Sequence, residues 1–133
     1  MIGYARSNDY ICKEAAESLF YAQDWFKNLP EPDEGVWHSC HVLTRAFAFV
    51  VYRVGWVVQD GHFSRIGHNH SWLWHKDWEV ILDIYPIAGM LPHLVHITHS
   101  PWNALYIQDD RAYSDAQRAS WGREANRIAA LPR

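Results

Sequence analysis

Residues 68–86 read HNHSWLWHKDWEVILDIYP. Aromatic and β-branched residues crowd both sides of Lys76-Asp77, which predicts two strands, Asn69 to Trp74 and Glu79 to Tyr85, joined by a short turn. Two histidines and an aspartate lie inside this otherwise apolar segment. Burying an ionisable group is costly unless it has a partner, so their placement needs a reason. A two-residue turn at 76 and 77, or a four-residue turn from His75 to Trp78, gives one register. His70 then lies opposite Asp83, Trp72 opposite Ile81 and Trp74 opposite Glu79. Opposed side chains have Cβ atoms about 4.5–5.5 Å apart, within reach of an imidazole–carboxylate hydrogen bond. A three-residue turn would instead send Asp83 to the other face.

Upstream of the hairpin the periodicity is helical. Ile11, Ala15, Leu19, Ala22, Phe26 and Leu29 recur every three or four residues, predicting a helix over Asp9 to Asn28 with Ser7, Asn8 or Asp9 as caps. Pro30 and Pro32 stop it in the polar loop PEPDEG. A second helix is expected from Ser39 to Gly55, apolar almost all round and therefore buried. Further strands are expected at Trp56 to Gln59 (continuing through DGHF), Leu94 to Thr98 and Ala104 to Gln108. An amphipathic helix, Ser114 to Ala130, presents Trp121, Ala125 and Ile128 on one face. The expected fold is one α+β domain over residues 1–133: a buried helix packed on an antiparallel sheet, with flanking helices.

At 133 residues with 49 % apolar content, the chain can bury a core of its own. Its net charge of -3, with Lys and Arg scattered, argues against a nucleic-acid partner. The longest strongly apolar run, Ala46 to Tyr52, is too short to span a bilayer. The opening MIGYARSNDY lacks a basic region followed by an apolar one, so no signal peptide is expected. Two cysteines in such a chain read as reduced thiols, which predicts a cytoplasmic protein.

One of those thiols, Cys40, opens the buried helix. A helix N-terminus favours an anion and lowers the pKa of a thiol placed there. With His70 as base and Asp83 to orient it, Cys40 becomes the candidate nucleophile of a catalytic triad. Free cysteines serve more often as small core residues, so the conjunction of the three carries the expectation.

A cysteine opening a helix, then His70-Ser71-Trp72, then ILDIYP around Asp83 and Pro86, resembles the transglutaminase-like branch of papain-fold cysteine enzymes over residues 37–86. The resemblance implies acyl transfer at an amide or ester of a peptide, protein or small amide, by hydrolysis, deamidation or transamidation. No cofactor and no metal are expected. Trp37, Gln59, Trp72 and Tyr85 are the candidate substrate-binding residues, and the Cys40 backbone N–H, Gln59 and the Trp37 indole are candidate oxyanion donors. Two departures are visible: relatives often carry an aromatic just after the cysteine, where this chain has His41, and a Gln before it that is not identifiable here.

Other constellations compete. His68, His70 and Cys40 could form a metal site, whereas His93, His96 and His99 alternate faces on a strand and would not converge. His62-Phe63-Ser64 and His96-Ile97-Thr98 each match the paired motif of the 2H phosphoesterases. Eight tryptophans would also suit a non-catalytic module gripping a sugar or peptide, and Tyr85 and Trp102 are read either as lining a substrate groove or as simple packing.

Overall fold

A computed structural model describes residues 11–29, 39–51, 54–64, 68–86 and 91–131. The expected caps of the first helix, the PEPDEG loop and Trp37 lie outside them. The first described helix, α1 (Lys13–Lys27), is followed by α2 (Cys40–Val50). Strands β1 (Trp56–Phe63), β2 (His68–His75), β3 (Val80–Asp83) and β4 (His93–His96) follow. A 3-10 turn (Pro101–Leu105) leads into β5 (Tyr106–Gln108), and α3 (Asp115–Ala129) ends the order. The strands form an antiparallel sheet ordered β4-β3-β2-β1-β5. The fold is α+β, with Cys40 on a buried helix and His70 and Asp83 on the sheet.

Side-chain alternation gives the sheet two working faces. Val58, Leu73, Leu82 and Leu94 form a row toward the helices, where they meet Leu19, Ala22 and Trp25 of α1, Leu43 and Phe47 of α2, and Ala125 and Ile128 of α3. Trp72, Ile81 and Val95 line the opposite face under Trp74, Ile97, Trp102 and Tyr106. Burying an apolar side chain contributes about 1.5–3 kcal/mol, so the larger, helix-side cluster is the main hold on the fold. The helix ends follow from local chemistry: Ser39 Oγ accepts from the Val42 N–H, and Ser114 and Gln117 form a capping box. The second helix ends at Val50, short of the expected Gly55, which serves the turn into β1 with φ 102°.

The hairpin register differs from the expected one by two residues. The turn is Lys76 to Glu79, with Glu79 in the left-handed region at φ 52°, and the closing pair is His75 with Val80. Leu73 therefore pairs with Leu82 and Trp74 with Ile81, and His70 is diagonal to Asp83 instead of directly opposite. A shift of two preserves every face, so the imidazole and the carboxylate still share one side. The sheet also curls strongly. Tyr106, on the β5 edge, reaches Asp83 on β3 and His93 on β4, at the other edge.

Candidate active site

Cys40 occupies the first position of α2, half-buried and free of any disulfide. By helix geometry, the first-turn amides of Cys40 and His41 have no acceptor within the helix and offer themselves to an anion there. Burial alone would raise the thiol pKa. Hydrogen bonds to His41 and His70, and the charges of both rings, outweigh it and bring the value from 9.0 down to about 6. His70 moves the other way. Burial opposes its charge, but the bonds to Asp83 and Cys40 and their negative charges raise it from 6.5 to about 9. Between those values thiolate and imidazolium are the stable pair.

His70 and Asp83 are both fully buried. His70 Nε2–H donates to Asp83 Oδ2 across 2.8 Å, leaving Nδ1 as the ring nitrogen with no other partner and available to the thiol. Phe63, Trp72 and Tyr106 surround the imidazole, their ring centroids 5.8, 5.9 and 6.2 Å from it. They exclude water and strengthen the charge pair. Asp83 Oδ2 accepts a second bond, 2.7 Å from the Tyr106 hydroxyl, and the Tyr106 oxygen accepts from His93 Nε2 at 3.1 Å. Burial and the Asp83 charge raise the Tyr106 pKa well above 10.0, so this phenol keeps its proton and remains a donor. Burial keeps His93 below its ordinary value and hence neutral near pH 7. The line runs His93, Tyr106, Asp83, His70, Cys40.

A second polar group lies on the helix side of the sheet. Asp60 on β1 and Ser71 on β2 are directly paired, and Ser71 Oγ donates to Asp60 Oδ1 across 2.5 Å. Arg45 of α2 bonds Asp60 Oδ2 at 2.7 Å, and Arg118 of α3 approaches it at 3.3 Å. Burial opposes the Asp60 charge, but Arg45 and Ser71 win and hold its pKa below the usual range. His41 Nδ1 meets Ser71 Oγ at 2.7 Å, and its ring stacks on Trp121 at 4.1 Å and 10°.

Of the predicted site residues, Cys40, His70 and Asp83 come together. Gln59 and Trp72 also meet, opposed on β1 and β2, but the Gln59 amide is occupied: Oε1 accepts from Trp72 Nε1 at 2.8 Å and Nε2 donates to Gln108 at 3.3 Å. Both residues line a cavity of about 240 Å³ with Trp74, Ile81, Tyr106 and Gln108 among its walls. None of Cys40, His70 and Asp83 lines it. Tyr85 packs against Phe26 at 5.6 Å, on the main core. Trp37 lies outside the described residues. Tyr106, His93, Ser71 and Asp60 belong to the site without having been singled out for it. The only sequence signal was a polar group inside a predicted strand for Ser71 and Asp60; His93 lies just before the expected strand Leu94 to Thr98, and Tyr106 had none.

The competing constellations separate. His62, on β1, lies 3.6 Å from Asp109, whereas His96 is on β4, with β2 and β3 in between, against His99. His93 and His96 point to opposite faces. Among the described residues no three His, Cys, Asp or Glu side chains are arranged to hold a metal ion, and no helix is long and apolar enough to cross a membrane. Comparison with known proteins gives no match, neither to a protein-family model, nor to a curated protein, nor to a solved structure.

Proposed function

We propose that this chain is a thiol-dependent hydrolase or acyl transferase, acting on an amide or ester of a peptide, protein or small molecule and similar in chemistry to the transglutaminase-like cysteine enzymes. One observation carries the reading. A half-buried helix-N-terminal thiol has its pKa lowered by an imidazole whose Nδ1 is unpartnered and whose other nitrogen is held, 2.8 Å away, by a fully buried carboxylate. That is the nucleophile–base–orienter order of acyl-transfer sites.

The Cys40 thiolate adds to the carbonyl carbon, forming the C–S bond, and the first-turn amides of α2 face the developing oxyanion. The C–N or C–O bond then breaks, and the leaving group takes the proton from His70 Nδ1. The product is a thioester on Cys40 with neutral His70. Water, or an amine, next gives a proton to Nδ1 as its oxygen or nitrogen bonds the carbonyl carbon. The C–S bond breaks, restoring thiolate and imidazolium. Asp83 keeps Nε2–H in place throughout, and Tyr106 keeps Asp83 in place.

The direct check uses an activated ester, p-nitrophenyl acetate, read by intact mass and by p-nitrophenol release. A burst that acetylates Cys40, absent in Cys40→Ser and slowed about 10²–10⁴-fold in His70→Ala, is the expected outcome. An unmodified Cys40, or acetylation equally fast without His70, would show that the thiol is not activated and that the domain binds rather than transforms its ligand.

A further inference from the structure

His41 directly follows the nucleophile, and nothing in the triad needs it. Its surroundings nevertheless fix its protonation pattern. Ser71 has a single hydroxyl proton, and that proton goes to Asp60 Oδ1 at 2.5 Å. Toward His41 the Ser71 oxygen is therefore an acceptor, at 2.7 Å, and toward Arg45 Nη1 as well, at 3.5 Å. His41 Nδ1 must carry a hydrogen. In the neutral ring Nε2 is then bare, and it is the nitrogen left for the thiol of the preceding residue, Cys40, whose pKa the His41 ring helps to lower. Stacking on Trp121, with the Tyr113 ring edge-on at 5.0 Å, holds the plane of the imidazole.

We propose that Cys40 is served by two bases: besides His70, His41, fixed as the Nδ1–H tautomer by the Ser71–Asp60 arm, accepts the thiol proton at Nε2. The step is balanced. The S–H bond breaks, the Nε2–H bond forms, and the thiolate faces an imidazolium whose other N–H remains bonded to Ser71. The charged and titratable groups around His41 are Cys40 and Arg45 on α2, His70 on β2, Asp60 on β1, Arg118 on α3 and Tyr113 just before α3. Asp60 lies on the Nδ1 side, so it orients the ring as Asp83 orients His70. Two such arms let the free thiol lose its proton to either imidazole before the carbonyl is attacked. This deepens the proposed thiol chemistry and rests on it.

The test is the iodoacetamide rate of Cys40 against pH, with Cys12 as internal reference, in wild type, His70→Ala, His41→Ala and the double variant. His70→Ala is expected to retain an acid limb below the free-thiol value of about 8.5, with roughly tenfold faster alkylation at pH 7 than the double variant. His41→Ala alone shifts the wild-type limb upward. If His70→Ala already titrates like a free thiol and His41→Ala like wild type, the second base is refuted while the triad stands. If wild-type Cys40 itself titrates like a free thiol, the thiol-enzyme reading fails instead. Nitrogen-15 spectra of histidine-labelled wild type give an answer even where a variant does not fold. They should show His41 as the Nδ1–H tautomer, moving when Cys40 is alkylated; an Nε2–H tautomer would overturn the proposal.

Discussion

Cys40 and His70 shift each other's protonation in opposite directions, and the signs give a stability test. The Cys40 pKa is lowered on folding, so its contribution is complete only above the ordinary value of 9.0 and is lost as pH falls toward about 6. The His70 pKa is raised, so its contribution is complete below 6.5 and is lost as pH rises through about 9. Between 6.5 and 9 the two slopes oppose each other. Cys40→Ala removes the rising one. Its urea-unfolding free energy should fall with pH across that window relative to wild type, and parallel profiles would deny the pair. At this scale the sequence shows the three candidate residues, Cys40, His70 and Asp83, because their chemistry is rare inside apolar segments. It hides His41, which looks like helix surface until Ser71 and Trp121 are seen beside it. It also hides Tyr106, because no local period ties a tyrosine to an aspartate 23 positions earlier.

Elements were legible by type and less so by their joints. The hairpin was expected from its alternation, yet its register is set by a four-residue turn ending in left-handed Glu79, a conformation that residue identity does not announce. Parity survived the two-residue shift, so the pairing of His70 with Asp83 survived too. The joint that matters most is β1 against β5. A Cβ at Gly61 would lie 2.0 Å from the Ile107 carbonyl oxygen, so only glycine lets the two backbones approach. Gly61→Ala should push β5 away, pull the Tyr106 hydroxyl off Asp83 and cost about 1–3 kcal/mol by overpacking. Urea unfolding reads the stability, and the Cys40 alkylation profile should lose part of its acid limb. An unchanged profile in a destabilised protein would mean that Asp83 holds His70 without help from Tyr106.

At the level of the whole chain, the order of helices and strands was readable from periodicity, because burial imposes the same alternation on any sheet with one covered face. The curl that brings the β5 edge over to β3 and β4 was not, since it depends on contacts between residues far apart in sequence. That curl makes the site a property of the entire fold: Cys40 comes from α2, His70 from β2, Asp83 from β3, Tyr106 from β5 and His93 from β4. No sub-part assembles it. Unfolding should therefore change the two cysteines in opposite directions. Near pH 6.5 the folded Cys40 is largely thiolate, whereas a free thiol of pKa about 8.5 is only about one part in a hundred ionised. Cys12, partly covered at the start of α1, gains access on unfolding. Across a urea titration at pH 6.5, the iodoacetamide rate of Cys40 should fall as that of Cys12 rises, both with the midpoint of tryptophan fluorescence. A Cys40 rate that rises with Cys12 would mean that the native fold only shields the thiol, and a Cys40 midpoint below the fluorescence one would mean that the site comes apart before the core does.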